Sequence, residues 1–253
     1  MTHIVDSPLL VFALSLVALW VAALIGTFLR KSFRPLEATE QHDFERILAA
    51  TLTLLGLIIG FGFSMAVSRY DQRKSLEAAE ANAIGTEYVR ADLLPPVEAA
   101  RVRELLKDYL DQRVLFYKSA DEHQLAGIDL RTSQLQTDLW SVVQTTAAKQ
   151  SKLTVALAVS GMNDVLNAQT YTQAAWWNRL PVTAWCLVLA IAFFCSLLFG
   201  YTVQRRGRGV LLALPLVVSI SLFLIADIDS PRHGLIRTVP QNLIRLSETL
   251  RSK

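Results

Sequence analysis

The sequence predicts an all-α integral membrane protein, with four transmembrane helices in a two-plus-two arrangement around a helical domain of about 110 residues. Three observations predict it. Hydrophobic residues fill 52% of the 253 positions and the mean hydropathy is +0.35, more than a water-facing surface tolerates. The excess gathers into four blocks of about 20 residues, the length that crosses a bilayer core as a helix. Between the second and third blocks, Ser68 to Asn178 is almost free of glycine and rich in the helix formers Ala, Leu, Glu, Gln and Arg.

Span one runs from about Leu9 to Leu29. Ser7-Pro8 supply its cap and first turn, and Arg30-Lys31 close it with side chains that can snorkel to the interface. No basic segment precedes it and no small-residue cleavage site follows, so it reads as a retained span and not as a signal peptide. Span two runs from about Ile47 to Val67, span three from Leu180 to Val203 and span four from Gly209 to Ala226, and all four are free of charge internally. An unpaired ion at mid-bilayer is costly, so this pattern disfavours a transporter built on intramembrane carboxylates. Trp176, Trp177 and Arg179 read as an interfacial belt ahead of span three.

The chain thus divides into a first helix pair (1–67), a helical domain (68–178), a second pair (179–227) and a C-terminal tail (228–253). A multi-pass protein of the cell membrane is implied, the inner membrane if the source is bacterial. Arg30, Lys31, Arg34 and Arg46, with Arg205, Arg206 and Arg208, are nearly balanced across the bilayer by Arg69, Arg73, Lys74, Arg179, Arg232 and Arg237. Charge asymmetry therefore assigns no orientation.

In the helical domain three long helices are expected. The first continues span two, since nothing stops it before Pro95-Pro96 and Gly85 only weakens it. The second, from about Val97 to Gln124, places Val102, Leu105, Leu106, Tyr109, Leu110 and Val114 on one apolar face. A turn at Ala126-Gly127-Ile128-Asp129 leads to a third, from about Leu130 to the Trp pair. Glu77, Glu80 and Glu87 share an arc of the first helix. They suit an acidic vestibule wall or a cation site, and equally simple pairing with Arg73, Lys74 or Arg90.

The net charge of +3 has no basic stripe behind it, which excludes a nucleic-acid partner. Cys186 and Cys195 lie inside span three and read as packing residues. His3, His42, His123 and His233 are scattered without metal-ligand spacing, and there is no phosphate loop, dinucleotide fingerprint or nucleophile elbow. Neither an enzyme nor a cofactor is expected.

Two stretches carry more information. In Leu55 to Ser64, Gly56 and Gly60 form a GxxxG pair for helix packing, and Leu55, Ile59 and Phe63 make a stripe at i, i+4, i+8. Taken alone, such a stripe suits lipid contact or packing as well as a pore. In Ala226 to Pro231, Asp227 and Asp229 sit at a helix C-terminus with the wrong sign for its dipole. They call for partners such as Arg232, Arg237, Arg69 or Arg73, or they mark a turn at Asp-Ser-Pro, and the two readings are compatible.

Gly62-Phe63-Ser64 through Arg69-Tyr70-Asp71-Gln72-Arg73-Lys74-Ser75-Leu76, then Glu80 to Glu87, and Asp227-Ile228-Asp229-Ser230-Pro231 with Gly234, resemble the bestrophin-like membrane family over most of the chain. More distantly they resemble the bestrophin anion channels. That resemblance implies a homo-oligomer, a pentamer, whose second span surrounds a pore passing small anions such as chloride, with lipid and its own copies as the other partners. It places Leu55, Ile59 and Phe63 in an apolar neck that gates by dewetting. Bestrophins carry a longer acidic, calcium-binding cluster after the last span; here only Asp227 and Asp229 stand there, so calcium gating is not implied. The reading from a different class is a membrane-anchored sensor or scaffold whose helical domain binds a partner without conduction.

Overall fold

In lipid every backbone polar group must bond within its own segment, so apolar runs of this length fold as helices. The computed structural model describes residues 7–32, 38–150, 153–203 and 208–252. Its elements are α1 (Pro8–Ser32), α2 (Ala38–Arg90), a 3₁₀ turn (Ala91–Leu93), α3 (Pro96–Lys118), α4 (Glu122–Lys149), α5 (Leu153–Trp177), α6 (Val182–Thr202), α7 (Arg208–Asp229) and α8 (Gln241–Arg251). Among the described residues four helical stretches are long and apolar enough to cross a membrane. The chain forms two units: a membrane unit of Met1–Arg69 with Arg179–Arg237, and a helical domain of Tyr70–Asn178 with Thr238–Lys253.

Helix association in lipid gains nothing from the hydrophobic effect, and close packing through small residues takes its place. α1 and α6 form the most extensive helix pair of the membrane unit. Ala22, Ala23 and Gly26 of α1 and Ala192, Ser196 and Gly200 of α6 are all buried. A methyl on Gly26 would stand 2.1 Å from the carbonyl oxygen of Leu197, and one on Gly200 1.9 Å from that of Ala23. Only glycine fits at either place. Arg30 fixes the same pair from its end, donating from Nη1 to the carbonyls of Tyr201 (3.2 Å) and Thr202 (2.9 Å). These belong to the last turn of α6, whose carbonyls lack helical partners. Arg30 is thus a helix cap as well as an interfacial cation.

The helical domain departs from the sequence reading at two turns. The apolar face expected on the second helix is the buried face of α3, with Val102, Leu105, Leu106, Tyr109 and Leu110 buried and Val114 half-buried. That helix ends at Lys118, however, and α4 begins at Glu122 because Asp121 caps it, its Oδ1 accepting from the N–H of His123 at 3.0 Å. The expected turn at Ala126–Asp129 lies inside α4; an internal glycine weakens a helix without stopping it. The expected third helix is two, since Gln150 is extended after Lys149 and α5 starts at Leu153. No proline or glycine marks that break.

The C-terminal segment, expected as a tail, is built into both units. Its end folds as α8, with Leu243 and Leu250, two turns apart, buried in the core of the helical domain.

Gly200→Ala is expected to destabilise the protein by about 1–3 kcal/mol, because the added carbon meets backbone and cannot be accommodated by a rotamer change. Thermal unfolding in mild detergent reads this as a lowered midpoint. Gly127→Ala has open space around the new carbon and is expected to raise stability by about 0.5–1 kcal/mol.

Candidate functional site

The apolar stretch of α2 is the least buried of the four spans. Successive residues turn by about 100° around a helix, so its faces separate clearly. Leu55 and Ala66 lie on the packed face, with Leu55 only 2% exposed. Ile59 is half-buried on the edge of that face and Phe63 is exposed. Leu55 is thus packed within its own chain, whereas Phe63 of the same expected stripe is not. The open face holds Thr53, Leu57, Gly60, Phe61 and Ser64, with Leu57 55% and Phe61 62% exposed. Thr53, Leu57 and Phe61 repeat the i, i+4, i+8 spacing on this other side. Gly56 and Gly60 are also exposed, and a methyl on either would meet nothing within 4 Å. The close helix crossing inside the protomer is the Gly26–Gly200 contact; the GxxxG pair takes no part in it.

At the end of α7 both aspartates accept hydrogen bonds from main-chain N–H groups. Asp227 accepts from the N–H groups of Leu235 (2.6 Å) and Ile236 (2.9 Å), which folds the turn after the helix back onto its last residues. Gly234 lets that turn approach, since a methyl there would lie 2.4 Å from the Asp227 carbonyl oxygen. Arg237 Nε donates to the Gly234 carbonyl at 2.9 Å. Asp229 accepts from the N–H of Leu180 at 3.2–3.3 Å, with the Arg179 guanidinium adding its charge beside it. Of the two readings of the sequence, arginine partners and a turn, the bonds of Asp227 to the amides of Leu235 and Ile236 are those of a turn. Arg69 is half-buried on α2, Arg232 is half-buried in the turn, and Arg73 is buried in the helical domain.

Glu77, Glu80 and Glu87 of α2 are buried in the helical domain, so these three form no acidic wall on its surface. Glu77 accepts from the N–H groups of Asn242 (2.9 Å) and Leu243 (3.0 Å) and from Asn242 Nδ2 (2.6 Å). It thereby caps the N-terminus of α8, where a negative charge is favoured. Glu80 pairs with the equally buried Arg113, Oε1 with Nε and Oε2 with Nη2, and Arg113 also lies over the Phe116 ring at 4.5 Å. Glu87 has no hydrogen-bond partner for either oxygen. Burial pushes its carboxyl up to about 8, with Arg90 opposing and Asp164 reinforcing the rise. Among the described residues no group of His, Cys, Asp and Glu is arranged to hold a metal ion.

The profile of the bestrophin-like domain matches residues 10–243, all but the ends of the chain. The chain belongs to the bestrophin-like family. Crystal structures of a bacterial bestrophin homologue from Klebsiella pneumoniae are similar to it. One point variant superposes with a TM-score of 0.65 at 11% identity, covering 97% of this chain and 98% of that one. Another structure of the homologue gives 0.61 at 13% identity, covering 95% and 98%. At such identity the likeness is one of fold. No curated protein matches in sequence. The bestrophin-like match takes in both aspartates of the turn, all three buried glutamates and the open face of span two.

In this bestrophin-like domain the Glu80–Arg113 pair is fully buried. Glu80→Ala is expected to cost about 3–5 kcal/mol by leaving Arg113 buried and unpaired, whereas Glu80→Leu combined with Arg113→Met recovers most of that loss. Chemical unfolding of the single and double variants in detergent measures the difference.

Proposed function

We propose that the protein is a homopentameric channel of the cell membrane, passing small anions such as chloride through a pore lined by the open face of span two. The observation that carries this reading is the exposure of Leu57 and Phe61 in the protomer while the opposite side of the same helix is packed. Five copies would bring Thr53, Leu57 and Phe61 into successive rings, with Gly56 and Gly60 allowing neighbouring helices to approach. Rings of Leu and Phe gate by dewetting and need no charge within the bilayer, which suits spans that have none. The membership of the bestrophin-like family and the fold shared with a bacterial bestrophin homologue support the same reading.

The mass of the purified protein in mild detergent tests the first step, because a closed ring is the premise of the pore. A pentamer is expected; a monomer or dimer would favour the membrane-anchored scaffold. The second step is read in planar bilayers. Phe61→Ala and Leu57→Ala are expected to raise unitary chloride conductance severalfold, whereas Leu55→Ala is expected to lower thermal stability with conductance unchanged. Wild-type conductance in both Phe61→Ala and Leu57→Ala would remove them from the neck.

A further inference from the structure

Gly161 of α5 is the seat of two side chains from α2. A methyl there would lie 2.0 Å from Glu87 Oε2 and 2.5 Å from Arg90 Nη1. Glu87 is fully buried in that seat and no donor reaches either of its oxygens. Arg90 instead extends to Asp164, three residues beyond Gly161 on α5, at 3.8 Å. These are the charged groups that act on Glu87: Arg90 from its own helix and Asp164 from α5. Toward the 3₁₀ turn and α3, Asp92 and Arg103 bond each other. An ionised carboxylate buried without donors is strongly disfavoured, while the neutral acid is tolerated far better.

We propose that Glu87 is a proton-binding latch of the helical domain: protonated, it keeps α2 and α5 closed over Gly161, and on losing the proton it must take up donors, so the seat opens. The direction of the pH dependence follows from linkage. The folded protein keeps a proton that the unfolded chain releases near the ordinary value of 4.5, and gives it up only at about 8. The stabilisation is therefore complete below the ordinary value, falls as pH rises above it, and is lost through about 8. The other buried carboxylates named above, Glu77, Glu80, Asp227 and Asp229, all have donors.

The test is hydrogen–deuterium exchange of the full chain in mild detergent at pH about 6 and about 9, corrected for intrinsic exchange, with the infrared band of the protonated carboxyl followed over the same range. In the wild type, exchange within 83–91 and 157–165 is expected to quicken at the higher pH as a protonated-carboxyl band disappears. Glu87→Gln should show neither change. Asp164→Asn leaves Glu87 in place and removes the anion that helps it hold the proton, so its midpoint should move to lower pH; this variant carries the test if Glu87→Gln does not fold. A Glu87→Gln protein with the wild-type pH dependence would overturn the latch, as would an Asp164→Asn midpoint that does not move. Neither readout depends on conduction or on oligomeric mass.

Discussion

A helix unbroken from Ala38 to Arg90 cannot change its periodicity where its solvent changes. At about 100° per residue, the side of α2 that holds Leu55 and Ala66 also holds Arg73, Glu77, Glu80, Ile84 and Glu87, all of them buried. Within the bilayer that stripe is apolar. In the helical domain four of its positions are ionisable, and each buried charge has to be answered by whatever the fold brings opposite. For Glu77 the answer is the N-terminus of α8, and for Glu80 it is Arg113. The position of the C-terminal helix is thus tied to a carboxylate on the same helix that forms the second span. For Glu87 the answer is a proton, which makes its state a property of the solution as well as of the fold.

The opposite side of α2 has the contrary problem. The membrane unit builds its packing from α1, α6 and α7, and its tightest crossing is between α1 and α6 at Gly26 and Gly200. With small residues concentrated there, span two has Thr53, Leu57, Gly60, Phe61 and Ser64 exposed. A lipid-facing helix has no reason to carry two glycines and a serine on one side, because glycine weakens a helix and lipid needs no close approach. A face that meets other copies of the chain does have a use for them. This asymmetry between a large apolar pair and small neighbours is what the proposed pore rests on.

The spans were legible because their signal is composition over about 20 residues, which tertiary contacts do not alter. The long α2 was legible for a related reason: only Pro95-Pro96 could stop it. The starts of α4 and α5 were harder. Asp121 is an ordinary capping residue whose signal was outweighed by the glycine at 127, and the break after Lys149 has no local marker. For the neck the gap is geometric. A spacing of four residues identifies a stripe and says nothing of which side it faces; Leu55 and Leu57 begin equally good stripes, yet they point about 160° apart. Which of them is packed depends on the neighbouring helices, as where Gly62 meets Ile225 of α7.

The glycines show the same gap between letter and role. At Gly26 and Gly200 a missing side chain lets two backbones touch, at Gly234 it lets a turn settle on Asp227, and at Gly161 it makes room for a carboxylate. None has a positive φ, so none is there for backbone freedom. What each provides is space, and space is defined by the partner. The GxxxG pair of span two, the glycine pattern that stands out in the sequence, is left unfilled within the chain, as Gly127 and Gly209 are. On the same logic its partner is to be sought outside the protomer, in a copy of this chain or in lipid, and the exposed Leu57 and Phe61 beside it mark the face where that choice is made.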